Sequence, residues 1–231
     1  MTAAVDLREW ETPAGDRRGL ALAIGELDPA GVAEAVADGA VVIDGRSPEE
    51  YDACHVDGAV NLPRDGAAFA SRARSAVDPG ASAVAVAGSD LESHALARAL
   101  QRAGFRRVCG IVAGGVAAYR AAGHPVGRQH AVPADRVLRD LESGGAVLVD
   151  AREDDDWVHG HVPGSLHVPL RSVAAAASIL PQTPVVVACT DGRRAATAAS
   201  ILRRRGHANV WRVAGAGVPY LLNRRLDLGG L

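Results

Sequence analysis

The sequence predicts an α/β protein that contains two copies of one domain, each built on a mostly parallel sheet. Two observations lead to this prediction. First, residues 39–63 align without a gap with residues 145–169, and two further pairs of similar segments follow in the same order. Second, short apolar runs alternate with helix-like segments in each half. Three matching blocks in one order indicate a duplicated domain rather than a short-period repeat.

The elements of each half follow the order expected of a parallel sheet. Apolar runs bounded by turn residues predict buried strands at AVVID (40–44), VAVAG (84–88), AVLVD (146–150) and VVVAC (185–189). Proline at the start and glycine at the end predict helices over 29–39 and 133–145, and an Ala-rich helix follows the second strand of each half. Such sheets are covered on both faces and bind ligands at the carboxyl ends of their strands. Cys189 is predicted to be the last residue of one of these strands.

The boundary between the halves is predicted near residue 128. The segment AGHPVGRQHAVP (122–133) is rich in glycine, proline and polar residues, as linkers between domains are. We therefore predict one domain over 16–128 and a second over 129–231.

Composition excludes several classes of function. The 231 residues carry 25 basic and 27 acidic side chains, a net charge of −2, which gives no reason to expect a nucleic-acid or membrane partner. Every basic residue is arginine, so Schiff-base lysine chemistry is excluded. Three widely spaced cysteines, Cys54, Cys109 and Cys189, form neither a disulfide framework nor a CxxC zinc pattern. With no secretory signal and no long apolar run, a cytoplasmic protein is expected.

The hexapeptide CTDGRR, which begins at Cys189, predicts a reactive thiol. It lies between a strand and a helix expected to begin near Arg193 or Arg194. Three effects favour the thiolate there: inward-facing backbone N–H groups, the positive end of the helix dipole, and two arginines that stay charged. Gly192 lets the loop curl without a Cβ penalty. A buried cysteine is often only a small core residue, but the neighbouring glycine and arginines favour a thiolate nucleophile for an anionic substrate.

At these motifs the sequence resembles the tandem rhodanese (sulfurtransferase) family, over about residues 20–231. The family's loop begins with cysteine and carries glycine at the fourth place and often arginine at the sixth, as Cys189, Gly192 and Arg194 do. Residues 44–63 and 150–169 both match the family's D-x-R segment that ends in G-A-x-N-[LIV]-P. The resemblance implies two rhodanese-like domains, each a mostly parallel five-stranded sheet with helices on both faces.

The resemblance also implies the chemistry. Cys189 would take the outer sulfur of a small anionic donor such as thiosulfate as a persulfide and pass it to a thiol or cyanide acceptor, without a cofactor. A sulfur-relay protein is a further candidate partner. Members specific for thiosulfate carry an arginine at the position of Asp156, so 3-mercaptopyruvate and protein persulfides stay open as donors.

The remaining loop residues receive roles from the same resemblance. Arg194 would bind the substrate anion or support the loop, and Arg193 would assist from the solvent side. Thr190 and Gly192 complete the loop, and Asp191 reduces its positive charge. The loop amides would stabilise the thiolate and the persulfide.

The first domain is predicted to be catalytically inactive. Gly88 stands at the position that aligns with Cys189, in a loop, GSDLES, that has two acidic residues and no arginine. This loop has no nucleophile and would repel an anion. Tandem members of the family combine a silent first domain with an active second one.

Residues shared by both halves are interpreted as structural. Asp150 and Arg152 repeat Asp44 and Arg46 of the inactive half, so we predict that they form an Arg–carboxylate bond that supports the loop.

The histidine that both halves share is also interpreted as structural. It is His55 in the first half and His161 in the second. His159, His161 and Cys189 provide no fourth ligand for a structural zinc ion, so no metal site is expected.

Two other functions stay open beside the sulfurtransferase. A phosphatase or arsenate reductase shares the fold, but the phosphatases need five residues between cysteine and arginine, and this loop has four, Thr190 to Arg193. A non-catalytic relay or binding module, whose Cys189 only accepts a persulfide from a partner protein, fits the same residues.

Overall fold

The computed structural model describes residues 24–64, 68–215 and 217–227. The predicted domain limits at residues 16 and 231 lie outside these ranges. In the first half, the elements in chain order are β1 Glu26–Leu27, α1 Pro29–Ala37, β2 Val41–Asp44, α2 Pro48–Ala53, β3 His55–Val56, β4 Val60–Asn61, α3 Phe69–Ala76, β5 Ser82–Val86, α4 Asp90–Arg102, β6 Arg107–Val112, α5 Gly115–Ala121 and β7 Val126–Gly127.

The second half repeats this series with small changes. Its elements are β8 His130–Pro133, α6 Ala134–Glu142, β9 Val147–Asp150, α7 Asp154–Val158, β10 Leu166–His167, a 3₁₀ turn Leu170–Ser172, α8 Val173–Ala176, β11 Val185–Ala188, α9 Arg193–Arg204, β12 Val210–Ala214 and α10 Val218–Asp227. Within the described part of the chain, no helix combines the length and the apolar character needed to cross a membrane.

Each half contains a five-stranded sheet, and the two sheets have the same topology. The strand orders are β1-β6-β5-β2-β4 and β8-β12-β11-β9-β10. Neighbouring strands in both sheets are parallel. The predicted fold class is therefore confirmed.

The strands of the second sheet are buried on both sides because helices cover both of its faces. Val185 and Val187 of β11 pack into one hydrophobic cluster, whereas Val186 and Ala188 pack into another. Successive side chains of a strand point to opposite faces, so a run of small apolar residues fills two cores at once.

The two halves share one of these cores. The cluster that contains Val185 also contains Ile43 of β2 and Leu100 of α4. At its edge, the backbone N–H of Asn61 on β4 donates to Ser200 Oγ on α9 at 3.0 Å. The helix that follows Cys189 therefore packs against the first domain as well as its own sheet.

A buried arginine also joins the halves. Arg212 on β12 is 4% exposed in its side chain and forms ion pairs with Glu49 and Asp52 on α2, at 2.9 and 2.8 Å. Burial raises the pKa of the Asp52 carboxyl, and the hydrogen bond and charge of Arg212 oppose that rise. The arginine thus offsets the cost of placing a carboxylate inside the interface.

Arg212→Ala is expected to destabilise the protein by about 3 kcal/mol, since it leaves Asp52 buried without its cation. Removing the arginine raises the pKa of Asp52 further, so this carboxyl takes up a proton sooner as the pH falls. The loss should therefore be largest near neutral pH and shrink toward acid pH. Urea unfolding at several pH values measures it.

The matched control is Arg136→Ala, which removes an exposed pair with Asp140 one turn away on the same helix. Such surface pairs contribute about 0.5 kcal/mol or less. Equal losses in the two variants would show that Arg212 does not stabilise the interface.

Candidate active site

Cys189 lies at the carboxyl edge of the second sheet. The sequence predicted it as the last residue of a strand, but β11 ends at Ala188, whose partner in the ladder is Asp150, the last residue of β9. Cys189 is therefore the first residue of the loop. Its carbonyl accepts a hydrogen bond from the N–H of Val218, at the start of α10, at 2.8 Å. The residue itself is fully buried.

Two backbone N–H groups point at the sulfur, and we call them the amide cradle. Gly192 N and Ala195 N donate to Cys189 Sγ at 3.1 and 3.3 Å. Gly192 has φ of +86°, a conformation that glycine adopts without strain, and α9 begins at the next residue, Arg193, as predicted. The sulfur thus lies at the positive end of a twelve-residue helix.

The surroundings of the Cys189 thiol differ from the prediction, because burial opposes the effects that were expected to favour the thiolate. Burial, the largest influence, raises the pKa of the thiol above its usual range, and the charge of Asp191 adds to the rise. Backbone hydrogen bonds from Ala195, Asp191 and Gly192 lower the pKa but do not cancel the rise. The resting site therefore favours the thiol, and the amide cradle reduces the free energy needed to form the thiolate.

The loop arginines are each paired with a carboxylate, which the sequence did not reveal. Arg194 Nη2 lies 3.1 Å from Asp156 Oδ2 on α7 and 3.5 Å from Thr190 Oγ1. Arg193 Nη1 lies 3.5 Å from Asp191 Oδ2. These carboxylates compensate the charges that were expected to favour the thiolate.

Asp191 also contacts the sulfur directly. Its Oδ1 lies 3.7 Å from Cys189 Sγ and accepts a hydrogen bond from Arg193 N at 3.1 Å. Its side chain is 52% exposed, so one carboxylate touches both the buried sulfur and the solvent.

Gly217 lies against the backbone of the Cys189 loop, and the sequence analysis did not identify it as a site residue. A Cβ atom at this position would lie 2.1 Å from Thr190 O and 2.5 Å from Cys189 O. Only glycine lets the chain before α10 pass this close to the loop backbone. The available signal was its alignment with Gly115 in the first half, within a segment that matches the family pattern poorly.

Asp150 and Arg152 form a buried bidentate pair at the carboxyl end of β9. Arg152 Nε and Nη2 donate to the Asp150 carboxylate at 3.0 and 2.7 Å, and Nη2 also donates to Gly160 O at 2.7 Å. The pair of Asp44 and Arg46 in the first half has the same geometry. Support of the loop by this pair remains our interpretation.

The first domain fills its equivalent position with a carboxylate. A Cβ atom on Gly88 would lie 2.7 Å from Glu92 Oε2. Glu92 is fixed there because Ser89, the N-cap of α4, donates to Oε2 and accepts from Glu92 N. This loop therefore holds an acidic group where the second domain holds sulfur.

The remaining histidines and cysteines lie outside the loop. His55 stacks on Tyr51 and His161 on Trp157, in both cases with ring centroids 3.7 Å apart, so the repeated histidines fill equivalent places. Cys54 is half-buried and Cys109 exposed, and both are free thiols. Among the described residues, no group of three His, Cys, Asp or Glu side chains is arranged to hold a metal ion.

A cleft of about 700 Å³ lies between the domains beside the loop. Its lining includes Arg46 and Gly88 from the first domain and Asp191, Gly192 and Arg193 from the second. The two equivalent loops therefore face one cavity.

Comparison with known proteins decides the family. A family model described as "Rhodanese-like domain" matches residues 28–122 and 133–217. The chain belongs to the rhodanese family. Both rhodanese-like domains of the chain are matched, as the internal duplication predicted.

Sulfurtransferases from two Pseudomonas species match part of the tandem rhodanese chain. It is 35% identical over 81 residues to "Thiosulfate sulfurtransferase GlpE" from Pseudomonas aeruginosa, a match that covers 34% of this chain and 72% of that protein. It is 35% identical over 78 residues to a protein of the same name from Pseudomonas fluorescens, covering 32% of this chain and 70% of that protein. SseA from Escherichia coli, a solved structure titled as a 3-mercaptopyruvate sulfotransferase, is 19% identical, with a TM-score of 0.38, and covers 84% of this chain and 99% of that one.

Proposed function

We propose that the protein is a sulfurtransferase that carries a sulfane sulfur as a persulfide on Cys189. The observation that carries this proposal is the amide cradle, because two N–H groups at the start of α9 donate to Sγ. Donors in this position stabilise negative charge on a sulfur atom, which both the thiolate and the persulfide carry. The relatives named thiosulfate sulfurtransferase support the same reaction class.

The reaction needs two displacements and no cofactor. The Cys189 thiolate attacks the outer sulfur of thiosulfate, the S–S bond of the donor breaks, and sulfite leaves with the electron pair. A thiolate or cyanide then attacks the outer sulfur of the persulfide, and Cys189 leaves as the thiolate. Because the enzyme alternates between two covalent states, ping-pong kinetics are expected.

The contacts of the loop disfavour the phosphatase but do not separate the relay module from an enzyme. In a phosphatase the loop arginine would be directed at a bound phosphate, whereas Arg194 is held by Asp156 and Thr190. A relay module would use the same amide cradle, so only the identity of the sulfur source separates it from an enzyme that acts on small donors.

Incubation with thiosulfate or 3-mercaptopyruvate is expected to add one sulfur atom, about 32 Da, to the intact protein. Peptide mapping should place it on Cys189, and cyanide should remove it. Uptake only from a cysteine desulfurase that carries a persulfide would favour the relay module. Hydrolysis of a phosphate ester without a gain in mass would contradict sulfur transfer and favour the phosphatase.

A further inference from the structure

The loop carries acidic groups where an anionic donor must approach. Asp191 Oδ1 lies 3.7 Å from Sγ, close to the distance at which an attacking sulfur would meet the outer sulfur of a donor. It already accepts from Arg193 N and pairs with the Arg193 side chain. A donor that approaches Sγ from this side therefore meets the Asp191 carboxylate. That carboxylate already binds the Arg193 groups that could hold an anion.

The second arginine is compensated in the same manner. The Arg194 side chain is 23% exposed, and its guanidinium contacts Asp156 at 3.1 Å. Asp156 is itself partly exposed, and its charge offsets that of Arg194, which would otherwise attract an anionic donor. Like charges at such distances repel more strongly at a partly buried site than in water. The repulsion doubles when the charge of the donor rises from −1 to −2.

We propose that Asp191, assisted by Asp156, selects sulfur donors that carry at most one negative charge and disfavours dianionic thiosulfate. This inference rests on the persulfide function proposed above and specifies its donor. Asp191 is thus a specificity-determining residue: its carboxylate lies beside Sγ and holds the Arg193 groups that an anionic donor would otherwise bind. The charge of the Asp191 carboxylate raises the pKa of the thiol, whereas the backbone N–H of Asp191 lowers it, so only the side-chain charge acts against an anionic donor.

Two small donors of similar shape differ in charge and in leaving group, so the selectivity is measured by how a variant changes the ratio of their rates. Thiosulfate is a dianion, and the methanethiosulfonate ion is a monoanion in which a methyl group replaces one oxygen. With either donor, the Cys189 thiolate attacks the outer sulfur and the S–S bond breaks. Sulfite or methanesulfinate leaves with the electron pair, and the same persulfide remains. The single-turnover rate of sulfur uptake is followed by intact mass.

The native protein is expected to react with the monoanion at least about tenfold faster than with thiosulfate. Asp191→Asn should reduce that ratio about tenfold by raising the thiosulfate rate. The matched control is Asp155→Asn, which removes the same charge from the residue next to Asp156 and should leave the ratio unchanged. Thermal unfolding of each variant shows that the fold is retained.

The remaining outcomes overturn the proposal in distinguishable ways. If Asp191→Asn slows both donors in proportion, Asp191 supports the loop or accepts the thiol proton, and it does not select donors. Equal rates with the two donors in the native protein contradict the selectivity alone. If neither donor adds sulfur to the native protein, the persulfide function fails for small donors, and the donor selectivity fails with it.

Discussion

Cys189→Ser is expected to abolish persulfide formation and to lower sulfur transfer by about 10³-fold or more. Serine is nearly the same size and keeps contact with the amide cradle, but its hydroxyl is a far weaker nucleophile and cannot hold a persulfide. The fold should be retained because the side chain remains small and buried. Intact mass after incubation with a donor, together with cyanide-dependent turnover, measures the loss.

Two controls make this result specific. Cys54→Ser and Cys109→Ser should leave sulfur uptake unchanged, because these thiols lie outside the loop. Adding Gly88→Cys to Cys189→Ser should not restore uptake, since Glu92 Oε2 occupies the place of the new side chain. Persulfide formation in Cys189→Ser would place the sulfur on another residue and contradict the assignment.

Gly217→Ala is expected to lower sulfur transfer about 100-fold, because small displacements of reacting groups have effects of this size. The new Cβ atom would lie 2.1 Å from Thr190 O, so the loop or the start of α10 must move. Cys189 would move as well, since its carbonyl accepts a hydrogen bond from Val218 N at the start of α10. Overpacking of this kind also costs about 2 kcal/mol of stability. Turnover and thermal unfolding together measure both effects.

The matched control is Gly25→Ala in the first domain. A Cβ atom there would meet Cys109 O at 3.9 Å, which is ordinary contact. This variant should keep both its activity and its stability. Retention of full activity by Gly217→Ala would show that the loop does not depend on the close passage of the chain at Gly217.

Much of the architecture could be predicted because its signals are local. The apolar runs that became β2, β5, β9 and β11 are fully or nearly fully buried, and the helix expected near Arg193 begins at that residue. Proline at the start of α1 and glycine in the Cys189 loop reflect backbone preferences that short segments already carry. The duplication could be predicted because two copies of one pattern preserve their order.

The pairing of charges could not be predicted in this way. Asp156 and Arg194 are 38 residues apart in sequence, and Arg212 meets Asp52 across 160 residues. Composition and spacing do not state which carboxylate will face which arginine. The rise in the pKa of Cys189 could not be predicted for the same reason: the sequence shows the arginines but not the burial or the carboxylates.

The sequence by itself determined the duplicated parallel sheets, the difference between Gly88 and Cys189, and the position of the thiol at the start of a helix. These features depend on residue type and order along short stretches of chain. Only the tertiary structure decided that eight consecutive residues of α9, Ala195 to Leu202, are buried, in part against the first domain. It also decided that Asp191 and Asp156 hold the loop arginines. Burial and charge pairing depend on which distant segments meet, and both shift the pKa of Cys189.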